Sequence, residues 1–123
     1  MSEKVKRITK LYYSNPKVKG ALLTFSQSRE VVPRYGEGFG KRPDTIIYES
    51  DLMGLVNRGA TSFHASEELW SDALQLTTDM TPPELAQLRS GWDLLIDIDS
   101  PYLDYSKIAL KLVIDVLEKH GVY

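Results

Sequence analysis

GWDLLIDIDSP, Gly91 to Pro101, is the stretch on which the reading of this 123-residue sequence turns. Side chains alternate faces along a strand. Trp92, Leu94, Ile96 and Ile98 therefore share one face, and Asp93, Leu95, Asp97 and Asp99 the other. The pattern predicts a buried strand from Trp92 to Asp99 that ends on two carboxylates. Ser100-Pro101 then turns the chain, and Asp104 is placed to cap a helix from Tyr105 to Lys119. That helix carries Ile108, Ala109, Leu112, Val113, Val116 and Leu117 on one stripe, and Gly121 is its expected stop. Strand, turn and helix together predict an α/β fold with a mixed sheet flanked by helices. Val122-Tyr123 reads as the first step of a further strand, because a strand–helix unit returns to its sheet through a partner strand. Residues 1–123 are therefore expected to be a single domain that is the incomplete N-terminal part of a longer one.

Two carboxylates brought close in poor solvent repel each other and resist ionisation unless a cation joins them. Hard oxygen donors suit Mg²⁺ or Mn²⁺. Asp97 and Asp99 are thus candidate metal ligands, and in open α/β sheets ligands gather at the carboxyl ends of strands. A pair of divalent ions can clamp the attacking and leaving oxygens of a phosphoryl transfer. The same residues also suit a plain strand-end turn, with one Asp bonding to the turn backbone.

Working outward, residues 3–14 have helical spacing in Val5, Ile8, Leu11 and Tyr12, and Ser14-Asn15-Pro16 ends the element. Gly20 to Phe25 and Arg29 to Tyr35 read as strands, the second at an edge or broken early because of Pro33. Tyr35 to Pro43, YGEGFGKRP, reads as a loop. Thr45 to Tyr48 is a short β-rich run. Ser50 suits an N-cap for a helix from Asp51 to Arg58, closed by Gly59. Thr61 to His64 reads as a strand and Ser66 to Trp70 as one helical turn. Thr81 and Glu84 form a capping box for a short helix through Leu88. Trp70 and Trp92 are expected in the core.

Charge is unevenly spread. Residues 1–42 hold ten Lys or Arg against three Glu, a net +7, and the remainder holds five bases against fourteen acids, a net −9. Such asymmetry fits a face for phosphates and a separate site for cations, and it fits equally two halves that pair within one fold. The chain has no Cys, which excludes disulfides and thiolate metal sites. No apolar run reaches the ~18 residues of a membrane span. MSEKVKRITK is charged and lacks the apolar run of a secretion signal, so a cytoplasmic location is expected.

The order of these pieces resembles the archaeo-eukaryotic primase superfamily, above all the small catalytic subunit of archaeal DNA primase. The resemblance rests on Leu11-Tyr12-Tyr13-Ser14 in the first helix, Arg29-Glu30 before a strand, Arg42 ahead of TIIYES, and WDLLIDID followed by a long helix. It implies a primase-type catalytic core making primers from NTPs or dNTPs on a DNA template, with a large primase subunit as a possible partner. It implies that Asp97 and Asp99 are catalytic metal ligands for Mg²⁺ or Mn²⁺. Arg29, Glu30 and Arg42 are implied near the active site. DLMGLVNRGATSFHAS, Asp51 to Ser66, is also similar to polymerase domains of bacterial end-joining ligases, which implies His64 near the nucleotide. The superfamily's second motif, with its Gly-basic stretch and His, and its third acidic motif are not in this sequence. The 123 residues are therefore expected to carry half a metal site and not to polymerise alone. Other Asp-x-Asp enzymes (phosphatases, glycosyltransferases) and a non-catalytic fragment are the remaining alternatives.

Overall fold

The computed structural model describes residues 2–123. It is a mixed α/β structure with five α-helices and two small antiparallel sheets among the described residues. The chain divides into two compact units, one running to Asp93 and one from Leu94 to Tyr123.

In the first unit, α1 (Glu3–Ser14) starts at Ser2, whose hydroxyl accepts from the Val5 amide at 3.3 Å. Asn15 both closes α1 and opens α2 (Pro16–Phe25), its side chain accepting from the Lys17 amide at 2.9 Å. The expected strand Gly20–Phe25 is therefore a helix. Asn at the N-cap and Pro at the first helical position are a helix start. Leu22 and Leu23 of this helix pack against the core.

Three strands follow in the spatial order β2-β1-β3. They are β1 (Val31–Tyr35), β2 (Gly38–Phe39) and β3 (Ser62–Ala65). β2 lies within the expected loop Tyr35–Pro43 and folds back on β1. β1 is central, although it holds Pro33. The Pro33 carbonyl accepts from the Gly40 amide at 2.8 Å, on the side where β2 pairing has already ended at Phe39. The proline nitrogen points to that same side, beyond the last β2 pair, so the ladder with β3 loses no hydrogen bond and a central strand tolerates it. Gly40 is required at this crossing, since a Cβ there would stand 2.8 Å from Pro33 Cγ.

Between β2 and β3 runs α3 (Glu49–Asn57). It begins before Ser50, at Tyr48, because the Asp51 carboxylate accepts from the amides of Tyr48 (2.9 Å) and Ile47 (3.1 Å). Thr45–Tyr48 forms no strand, yet Ile46 is buried beside Val31, Leu52, Leu55 and Val56 in the core. Full burial of each such side chain is worth about 1.5–3 kcal/mol. Tyr13 packs against this cluster, edge-on to Phe63 at 5.1 Å. Burial, with Tyr12 adding, raises its phenol above the ordinary value.

The second sheet pairs β4 (Glu68–Trp70) with β5 (Arg89–Trp92). Ser66–Trp70 is thus partly a strand rather than a helical turn. A 3₁₀ turn (Ala73–Gln75) and α4 (Pro82–Leu88) connect the two strands, α4 starting with the expected Thr81–Glu84 box. The decisive correction lies at β5. The strand predicted from Trp92 to Asp99 ends at Trp92, and residues 93–100 have no regular structure. β4 is three residues long, its last pair is Glu68 with Trp92, and one further bond joins the Asp93 amide to the Glu67 carbonyl. Beyond that point no partner supplies ladder hydrogen bonds, and an apolar run alone does not make a strand.

The unit from Leu94 to Tyr123 consists of this irregular segment and α5 (Leu103–Lys119). α5 starts at Tyr102, and Asp104 lies in its first turn rather than capping it. Its half-buried positions are Ser106, Ala109, Val113 and Leu117. Leu103, Ile108 and Leu112 are exposed, as are Leu94 and Leu95 before the helix. Gly121 ends α5 with φ of +78°.

Candidate functional site

Three of the residues carried over by resemblance meet at one cleft of the first unit, about 860 Å³ in volume. Register explains the meeting. Val32 pairs with His64 across β1 and β3. Residues two apart share a face, so Glu30 and Val32 on one strand line and His64 and Ser66 on the other all border the cleft. Val31 and Phe63, one step off, serve the core instead.

Glu30 is nearly buried, its side chain 10% exposed. Its carboxylate accepts from Arg42, at 3.1 Å from Nε and again from the Nη2 group. Arg42 is the more open partner, at 67%. An almost buried carboxylate needs such a partner, because an unpaired buried charge is costly. His64 is exposed, with Nε2 3.1 Å from the Ser62 hydroxyl and its ring edge-on to Phe39 at 5.1 Å. It is therefore a surface-accessible group rather than a core histidine.

On the far wall, Arg89 donates from Nε to Glu68 at 2.7 Å. Its guanidinium also lies over the rings of Trp70 (5.0 Å) and Trp92 (4.6 Å). Neither Arg89 nor Glu68 was singled out from sequence. Arg89 pairs with Trp70 and Glu68 with Trp92, so their ion pair is a diagonal contact between β4 and β5, legible only once Glu68–Trp70 is read as a strand. Trp70 is buried as expected, whereas Trp92 is 64% exposed. It stands at the last rung of a two-stranded sheet.

Arg29 does not line this cleft. Its guanidinium is buried elsewhere in the unit, bonded to the carbonyls of Phe25 and Ser66 and to the Asp93 carboxylate.

Asp97 and Asp99 belong to the other unit and are exposed on the irregular segment. Exposed there, they are spared the repulsion that two carboxylates would suffer at a buried strand end. Neither carboxylate is engaged in an ion pair among the described residues. Among the described residues no three His, Asp or Glu side chains gather as a metal site. The donor chemistry still fits one class of ion. Mg²⁺ is commonly held by one or two carboxylates, with water and substrate phosphates completing its octahedron. Asp97 and Asp99 would be the two carboxylates of such a site.

No protein-family model, curated protein or solved structure matches this chain. No helix among the described residues is long and apolar enough to cross a membrane.

Proposed function

We propose that this chain is part of a primase-type nucleotidyltransferase core, acting on NTPs or dNTPs along a DNA template. The observation that carries the reading is the convergence of Glu30, Arg42 and His64. They come from three separate stretches within Glu30 to His64 and border a single cleft. Resemblance to primase small subunits implies Glu30 and Arg42 near the active site, and resemblance to end-joining polymerase domains implies His64.

In this reading Asp97 and Asp99 hold Mg²⁺ or Mn²⁺. The bound ion supplies charge neutralisation on the transferred phosphoryl group. The chain's own groups position the reactants. Arg42 offers N–H donors at the open side of its pair, suited to a phosphate or ribose oxygen. His64, exposed at the same cleft, is placed to meet a nucleotide as well. Basic residues of the first 42 positions suit template or primer phosphates. Chemistry of this class depends on placement and electrostatics, which is what carboxylates and bases provide.

A second reading, a polymerase of the bacterial end-joining type, is supported by one feature. Helix α3, Gly59, strand β3 and His64 follow one another in the order implied for those domains.

The test is Mn²⁺ binding followed by electron paramagnetic resonance, with an NTP and a DNA template present. Wild type is expected to bind the ion. Asp97→Asn and Asp99→Asn are each expected to lose tenfold or more in affinity. A wild-type chain that ignores Mn²⁺ under these conditions refutes the proposal.

A further inference from the structure

We infer that Arg29 is a positioning residue, which with Asp93 fixes how the chain enters the segment bearing Asp97 and Asp99. The metal part of this inference rests on the function proposed above; the geometry does not. The Arg29 side chain is only 9% exposed, and its three nitrogens each have a different partner. Nε donates to the Phe25 carbonyl at the end of α2 (2.8 Å) and Nη1 to the Ser66 carbonyl between β3 and β4 (2.8 Å). Nη2 meets the Asp93 carboxylate at 2.6 Å. The Phe25 ring stacks on the same guanidinium at 4.1 Å. Only a planar fork with donors in fixed directions serves three such partners, and lysine does not.

Asp93 is held twice, since its amide also donates to the Glu67 carbonyl at 2.9 Å. It is the last residue of its unit. Asp97 and Asp99 follow four and six residues later. Without a strand to brace that stretch, the double anchor at Asp93 is the nearest fixed point upstream of the two carboxylates. Geometry at a metal site tolerates little looseness in the groups that support it.

The variants are Asp93→Asn, Asp93→Glu and Arg29→Lys in the full chain. Asp93 has a 42% exposed side chain, so water reaches the group that replaces it, and its substitution disturbs the unit less than a change at the nearly buried Arg29 does. The first readout is the ¹⁵N order parameter of the Asp97 and Asp99 amides. In wild type it is expected in the rigid range. In Asp93→Asn it falls toward the flexible range, below about 0.6, with recovery in Asp93→Glu. Equal values in wild type and Asp93→Asn, or flexible values in both, overturn the inference. The second readout is Mn²⁺ affinity, expected to fall tenfold or more in Asp93→Asn. An unchanged affinity beside a wild type that binds the ion also overturns it. A wild type that binds no Mn²⁺ refutes the proposed function instead, and the order parameters still decide on the clamp.

Discussion

Replacing Arg42 with Met leaves the Glu30 carboxylate in a cleft wall without its only ion-pair partner among the described residues. The cost can be bracketed. Breaking a fully buried pair by removing one partner costs about 3–5 kcal/mol, and losing a fully exposed pair costs about 0–1 kcal/mol. Glu30 is close to the first limit, at 10% exposure, and Arg42 is close to the second, at 67%. Water replaces part of what Arg42 supplied, so about 1–2 kcal/mol is expected, between the buried and exposed limits. For a unit of this size that lowers Tm by roughly 4–16 °C. Glu30→Gln removes the charge that needs a partner and is expected to cost about 0.5–1.5 kcal/mol, the range of one hydrogen bond. The double variant should therefore be more stable than the sum of the singles predicts, by about 1 kcal/mol. Urea denaturation of the four proteins measures this cycle, and m-values check that unfolding remains comparable. Additivity within about 0.3–0.5 kcal/mol would show that the two side chains act independently. The account of Glu30 as a carboxylate held by Arg42 would then be wrong.

Leu52→Ala in the core is expected to cost about 2–5 kcal/mol, whereas Leu112→Ala on the exposed side of α5 stays within about 0.5 kcal/mol; denaturation of both variants measures the contrast. Gly40→Ala should destabilise by about 1–3 kcal/mol through overpacking, because its Cβ would meet the Pro33 and Tyr35 rings; a Tm equal to wild type would contradict this. Tyr13, whose phenol is raised in the folded state, binds its proton more tightly folded than unfolded. Its contribution is complete below the unfolded value of 10.0 and is lost as pH rises through the folded value. Alkaline titration of stability should show that loss in wild type and less of it in Tyr13→Phe.

Local chemistry was legible wherever neighbours in sequence decide the outcome. Helical spacing gave α1 and α5, Gly59 and Gly121 stood at the ends of α3 and α5, and Thr81 with Glu84 started α4. These features depend on capping and periodicity within one turn or two. Asn15-Pro16 signals a helix start as well as a stop, and the short apolar run Gly20–Phe25 does not by itself distinguish helix from strand. For the candidate site, sequence supplied the names Glu30, Arg42 and His64 but not their meeting. That came from the register of β1 against β3 and from the loop bringing Arg42 to Glu30.

What the sequence determined by itself was therefore the inventory: the helices marked by their caps, an α/β character, and two aspartates separated by one residue, with no thiol to compete for a metal. Only the tertiary structure decided whether an apolar run becomes a strand. GWDLLIDID alternates as a buried strand should, yet pairing ends at Trp92. A strand is defined by hydrogen bonds to a neighbour that may lie anywhere in the chain, whereas a helix satisfies its backbone within itself. That difference put Asp97 and Asp99 on an exposed segment and gave Arg29 the role of holding its start.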